Sequence, residues 1–434
     1  MASAKRLSRR RFIKSVAACA GFAAIGFPNV VRSSAIGTSV VPAASDRIIL
    51  GFIGLGEKAF AGCAGSLIKS FIDDPSCRIR AVCDINRLHR EEVVAFIDSR
   101  YGDKSCDAYN DFRELIARND IDAVVIATPE HWHAVQTIWA CRHGKDVYCE
   151  KPMALTIREA RAMAVTARQY GRVVQYGVQG RASSRLRFAC EAIRSGRIGD
   201  IVEVEVNCWG PSGFESLPAE PVPEYIDWDL FVGPAPWRPY NHVYTPQVRG
   251  WMAYSDFGGG GMTDMGAHNF DLAQRALGMD NTGPVEIIPP DGKQQKKLQF
   301  RYANGVKMVH NLGGDGENDG VLFIGKRGKA RLHPLSGNVE FYPEDIGRVS
   351  IRPDEVHLCE TDNPYTGFLE CIRSRQKPCA DVEIGCRSVT LCHLGNLAYW
   401  LRRPLKWNPD KEEFVDDDEA NLWLDRPKRE PWTL

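Results

Sequence analysis

The sequence predicts an α/β protein, with an N-terminal Rossmann-type doubly wound parallel sheet followed by an α/β domain built on an open, largely antiparallel sheet. Three observations predict it. Short apolar runs alternate with helical stretches from residue 47 to about 176, the pattern of successive βαβ units. A Gly-x-Gly pair directly follows the first apolar run, at the place where such sheets hold nucleotides. Beyond about residue 183 the period drops to two, as in Ile201-Val202-Glu203-Val204-Glu205-Val206, which marks a strand with one polar face.

The elements follow in order. Ser8-Arg9-Arg10-Arg11-Phe12-Ile13-Lys14 is a twin-arginine pattern, followed by an Ala/Gly-rich apolar run over 15–27 and small residues at Ser33, Ser34 and Ala35. A basic head, a short apolar stretch and a small-residue exit are expected to form a signal peptide over 1–37, making the protein periplasmic or secreted. A basic disordered tail is the alternative. The nucleotide-binding domain is expected over 45–182, with strands over 47–53, 79–82, 123–127, 146–149 and 173–176. Between them the pattern predicts helices reaching about 72 and over 88–101, 111–118, 133–143 and 157–170, with Asp111 as an N-cap. A second domain is expected over 183–405, with strands over 201–206, 285–288, 298–302, 306–311, 321–324 and 329–333. Residues 211–250, rich in Pro, Trp and Tyr, read as a long loop, and the charged stretch 406–434 as a tail packing on the body.

At 434 residues the chain is too long for one ordinary core. Lys+Arg and Asp+Glu both number 55, so there is no basic surplus of the kind a nucleic-acid partner requires. No stretch downstream of the N-terminus approaches the run of about 20 apolar residues that spans a bilayer. Of the 14 cysteines, most lie inside apolar runs, as Cys83, Cys149, Cys208 and Cys392 do, and none has CxxC spacing. They read as small buried hydrophobes. The twin-arginine route carries folded proteins, so a tightly bound cofactor could be loaded before export.

Gly54-Leu55-Gly56-Glu57-Lys58-Ala59 is a G-x-G-x-x-A turn between a strand and a helix. Gly54 allows the tight turn, Gly56 lets the backbone approach a pyrophosphate, and the helix N-terminus faces the anion. Lys58 offsets the charge of Glu57. Asp84, at the end of the second strand, can accept from a ribose diol and favours NAD, whereas Arg87 nearby could meet the 2′-phosphate of NADP. Asp84 could instead be a helix N-cap. Thr128, Pro129 and His133 follow the strand 123–127 and read as loop contacts near the nicotinamide ribose. His131 and His133 are two residues apart, so they do not share a helix face, and no metal site is expected.

Glu150-Lys151-Pro152 ends another strand at the same ligand-facing edge, where Lys151 can donate to a substrate oxygen and Glu150 lies against the cofactor. Residues 258–271 open on four glycines and predict a helix from about Thr263. Asp264 and His268 are i and i+4 and share one face. A histidine is the natural acceptor of a hydroxyl proton when the carbon loses hydride. The alternative is a core histidine with Asp264 as an N-cap.

These segments resemble the Gfo/Idh/MocA family of oxidoreductases, from about residue 47 to 432. Residues 227–229 and 233–240 look like its secreted bacterial branch. The resemblance implies a Rossmann domain, a C-terminal α/β domain through which homo-oligomers often form, and a sugar or cyclic polyol oxidised by NAD or NADP. Lys151, Asp264 and His268 match its catalytic positions, and Gln179, Arg181, Arg249 and Trp251 become expected substrate contacts. Two other readings stand beside it: a glycosidase or lyase that oxidises a ring carbon transiently, and a non-catalytic sugar-binding protein.

Overall fold

The computed structural model describes residues 43–56, 67–245, 250–313 and 320–434. The expected signal peptide over 1–37, Lys58 and Arg249 lie outside them.

The first sheet has six parallel strands: β1 (Ile48–Ile53), β2 (Cys77–Cys83), β3 (Asp107–Tyr109), β4 (Ala123–Ile126), β5 (Asp146–Glu150) and β6 (Val174–Gly177). Their order is β3-β2-β1-β4-β5-β6, so the chain reverses direction across the sheet between β1 and β4. In sheets of this order, ligands bind at the carboxyl ends of the strands beside such a switch point. Five helices connect them: α1 (Leu67–Ile72), α2 (Arg87–Tyr101), α3 (Phe112–Ile116), α4 (Glu130–Arg142) and α5 (Ile157–Gln169). Asn86, Asp111 and Thr156 cap α2, α3 and α5 by accepting from backbone N–H groups two or three residues on. β4 is buried at all four positions, which is why its sequence is a continuous apolar run.

The second sheet has nine strands: β7 (Ile201–Cys208), β8 (Glu286–Ile288), β9 (Leu298–Arg301), β10 (Lys307–Leu312), β11 (Val321–Gly325), β12 (Lys329–Leu332), β13 (Val339–Tyr342), β14 (Leu405–Asn408) and β15 (Glu413–Phe414). Its order is β13-β12-β11-β7-β10-β9-β8-β14-β15, and β7 with β10 is a parallel pair among antiparallel ones. Helices α6 (Ser184–Arg194), α7 (Trp228–Val232), α8 (Gly261–Leu277), α9 (Pro364–Ser374), α10 (Val382–Leu401) and α11 (Asp418–Leu422) complete the chain. Among the described residues no helix is long and apolar enough to cross a membrane.

Helix α10 joins the two cores. Val382, Cys386 and Val389 of α10 pack with the first sheet's cluster, and Leu391, Cys392, Leu394 and Leu397 with the second's. The C-terminal stretch returns to the first sheet, where Trp432 meets Trp132 with ring centroids 4.7 Å apart. Within residues 211–250, α7 and the rings of Trp228, Phe231, Tyr240 and Tyr244 form a small aromatic core with Phe257. Cys359 and Cys379 are joined by a disulfide, and all but one of the ten free cysteines among the described residues are buried.

Candidate active site

The glycine turn is held from both sides. Gly54 has φ +86°, and a Cβ there would stand 2.7 Å from the carbonyl carbon of Ala127 and the nitrogen of Thr128. Only glycine meets both demands. The turn is tied to β2 as well: the Leu55 N–H donates to Asp84 Oδ2 at 2.6 Å, and the Asn86 N–H to Asp84 Oδ1 at 2.7 Å. Asp84 therefore braces the turn and caps the approach to α2; its Oδ1 also faces His89 Nδ1 at 3.6 Å, and Oδ2 keeps a lone pair to offer a ligand. Arg87, at the start of α2, is exposed and paired with Glu91 at 2.8 Å. These residues fit a dinucleotide: a turn that only glycine allows, packed on the end of β4 at the switch point, with a carboxylate just after β2. Gly54→Ala is expected to weaken NADH binding at least tenfold, since it adds strain of about 1–3 kcal/mol at a positive φ. A fluorescence titration measures this, and unchanged affinity would contradict the assignment of the turn.

Thr128 and Pro129 lie between β4 and α4. The Thr128 hydroxyl donates to Gln136 Oε1 at 2.9 Å. The helix starts at Glu130, three residues earlier than its sequence pattern suggests, and this changes the role of both histidines. His133 is buried, with its two ring nitrogens 2.7 Å from the carbonyl oxygens of Thr128 and Pro152. It sits between the β4 edge and the Lys151-Pro152 turn, with both ring nitrogens facing backbone carbonyls, and so braces the two loops. His131 faces the Phe231 carbonyl at 2.8 Å inside the aromatic core, and burial pushes its pKa down to about 3. It is a neutral core histidine.

Lys151 ends β5 and reaches across to α8. Its Nζ donates to the carboxylate of Asp264 and, at 3.2 Å, to the Asp264 carbonyl. Both side chains are nine-tenths buried. His268 stands one turn further along α8 and is buried too. Lys151 thus meets, across 113 residues of sequence, the helix that carries Asp264 and His268. The four-glycine approach is a packing requirement: Gly260 has φ +76°, and a Cβ on it would lie 2.4 Å from the Ser212 nitrogen. Trp251 sits beside this run, its ring 3.1 Å from where a Gly258 Cβ would be.

Glu150 and Gln179 belong together. Glu150 is buried, and its Oε1 accepts from the Gln179 amide at 3.1 Å. Gln179 also donates to the Tyr148 hydroxyl at 3.4 Å, so it steadies Glu150. Arg181 is held in a buried ion-pair strut. Its Nε donates to both oxygens of Asp271, at 3.0 and 2.8 Å, and its terminal nitrogens to Asp280 at 3.3 and 2.7 Å. Burial opposes its charge, but Asp271 and Asp280 outweigh that and hold its pKa above the ordinary value. Three of its five N–H donors serve this strut, and one remains on each terminal nitrogen.

One site residue escapes sequence reading. Glu130, in the first turn of α4, is wholly buried, and its Oε1 accepts from the Thr263 hydroxyl at 2.9 Å and the Gly259 N–H at 3.2 Å. The only local signal is an acidic residue just after a buried strand at the ligand-facing edge.

Models of two domains of one family match this chain: an oxidoreductase family NAD-binding Rossmann fold over residues 50–178, and an oxidoreductase family C-terminal alpha/beta domain over 205–434. The chain belongs to the Gfo/Idh/MocA family. It is 29% identical over 197 residues to 1,5-anhydro-D-fructose reductase of Ensifer adhaerens, covering 45% of this chain and 49% of that one. It is 32% identical over 174 residues to a glycosyl hydrolase family 109 protein of Shewanella baltica, covering 37% of each. The match thus spans about half or less of these curated relatives. Among solved structures, the aldose-aldose oxidoreductase of Caulobacter crescentus complexed with glycerol superposes with a TM-score of 0.56 at 19% identity, covering 83% of this chain and 99% of that one. The WlbA dehydrogenase of Bordetella pertussis, in complex with NADH and UDP-GlcNAcA, gives 0.53 at 19%, covering 81% and 96%. At that identity these likenesses show the fold alone. The parallel sheet of this Gfo/Idh/MocA member lies within the NAD-binding Rossmann model, which also spans the Gly54–Gly56 turn.

Proposed function

We propose that this protein is an NAD(P)-dependent oxidoreductase that transfers hydride between a hydroxyl-bearing carbon of a sugar or cyclic polyol and the nicotinamide. The observation that carries this reading is the buried Lys151–Asp264 pair at the ligand-facing edge of an NAD-binding sheet, with His268 one turn further on. When bound, the cofactor supplies the hydride acceptor. A ring nitrogen of His268 takes the hydroxyl proton. Lys151 Nζ donates to the oxygen as negative charge develops on it, and Asp264 holds that ammonium in place. Trp251 suits a sugar, since an aromatic face packs on pyranose C–H groups. NAD is favoured over NADP because Asp84 would face a 2′-phosphate while Arg87 is paired with Glu91.

Export by the twin-arginine route belongs to the same proposal. The Arg9-Arg10 pattern supports it, and so does the Cys359–Cys379 disulfide, which suits an oxidising compartment. Homo-oligomer formation through the second sheet is supported by exposed apolar side chains on it, Val202 and Leu312 among them.

A second reading, redox-assisted glycoside cleavage, is favoured by the likeness to a glycosyl hydrolase family 109 protein. The test is to extract bound nucleotide, then supply sugars, polyols and aryl glycosides while following NADH absorbance and aglycone release together. Steady NADH formation from free sugars supports the oxidoreductase. Aglycone release that depends on bound NAD without net NADH supports the second reading. Absence of both activities and of nucleotide binding would sink both and leave a sugar-binding protein.

A further inference from the structure

The proposed activity uses Lys151, Asp264 and His268 and leaves Glu130 without a task. A buried carboxyl is costly unless satisfied, and this one is satisfied on one oxygen only. Oε1 is gripped by the Gly259 N–H and the Thr263 hydroxyl, while Oε2 is buried with no hydrogen-bond partner among the described residues. Both gripping groups flank the start of α8, and Thr263 is the neighbour of Asp264. Glu130 thus clamps the first turn of the helix that carries Asp264 and His268 onto the first turn of α4.

Its electrostatic surroundings come from three elements. Asp264 on α8 disfavours its charge, Lys151 after β5 favours it, and the Cys392 thiol on α10 lies within its field. Burial is the largest influence and pushes its pKa up to about 8. Near neutrality the acid is therefore protonated, and the Lys151–Asp264 pair stands without a net charge beside it. Above that pH the proton leaves to solvent and a second carboxylate joins the pair. Lys151 is then shared between two anions, and negative charge developing on a substrate oxygen is disfavoured.

We infer that Glu130 is the positioning residue of this site: its Oε1 locks the start of α8 onto α4, as the neutral acid it leaves Lys151 to Asp264 and the substrate, and as the carboxylate it turns the site down. This rests on the proposed oxidoreductase reading, so the test has one arm that needs neither nucleotide nor sugar. In infrared difference spectra of wild type minus Glu130→Gln, a protonated-carboxyl band is expected at about pH 6 and its loss at about pH 10. Absence of the band at the lower pH would overturn the inference whatever the enzyme oxidises.

The second arm is kinetic. Wild-type kcat for oxidation is expected to fall above about pH 8, and Glu130→Gln, which keeps both hydrogen bonds but has no proton to lose, removes that ionisation. At about pH 9 the variant should exceed wild type by about tenfold, the ratio that one ionisation near 8 imposes a unit above it. Glu130→Ala, which deletes the clamp, lowers kcat throughout by on the order of tenfold, and glutamine in its place restores it. An alkaline limb that persists unchanged in Glu130→Gln, or a loss in the glutamine variant equal to that of alanine, would reduce Glu130 to a packing residue. If neither sugar nor glycoside reacts while the infrared band titrates, the activity reading has failed and the charge state of Glu130 has not.

Discussion

Lys151→Met should lower kcat by about 10²–10⁴-fold while changing the Kd for NADH little. A donor aimed at the oxygen where charge develops contributes in the transition state far more than in the ground state, and removing one costs about 10²–10³-fold in rate. Proton handling by the same group can add to that. The site has no obvious substitute: Lys151 Nζ donates to the side chain and the carbonyl of Asp264, and both partners are buried. Methionine fills the space but leaves Asp264 a buried carboxylate without its cation, so some loss of stability should accompany the loss of rate. Single-turnover kinetics and a fluorescence titration with NADH separate the two. Equal losses in turnover and in nucleotide affinity would mean that Lys151 holds the cofactor and has no share in the chemistry.

Arg181→Ala should destabilise the protein by about 3–5 kcal/mol, because removing one partner strands buried charges on the others. Arg181 and Asp271 are both almost fully buried, and Asp280 is only about a fifth exposed. Ser388 donates to Asp271 as well, at 2.8 Å, so α10 shares the strut. The Tm should fall by on the order of 10 °C. Adding Asp271→Asn should recover part of that loss, since it removes one stranded charge. Thermal melts of the single and double variants, together with KM for the sugar substrate, check this. A rise in KM with an unchanged Tm would instead mark Arg181 as a substrate contact.

Much of the fold was legible because it depends on local patterning. The apolar runs of β1, β4 and β5 and the alternation along β7 announce strands buried on two faces or on one. Strands β3, β13, β14 and β15 are short and carry exposed or half-buried residues, so no continuous apolar run marks them. Helix α10 is buried nearly all round between two cores, so it has no polar face to mark it. The start of α4 lay three residues before its sequence signal because Pro129 fills the N-cap position without a side-chain cap.

The candidate site divides in the same way. The glycine turn, Lys151 after β5, and Asp264 and His268 on one helix face follow from chemistry written in short stretches: a backbone that demands glycine, a strand end, a spacing of four. By itself the sequence determined that a nucleotide-binding sheet carries a lysine at its edge and that an acid–histidine pair lies elsewhere in the chain. Only the tertiary structure decided that Lys151 meets Asp264 across 113 residues, that Arg181 pairs with Asp271 across 90, and that His133 braces two loops. It also decided that Glu130 lies buried against the start of α8. The physical reason is that the role of a charged group depends on which partners reach it once water has been excluded, and that is a property of the packed chain.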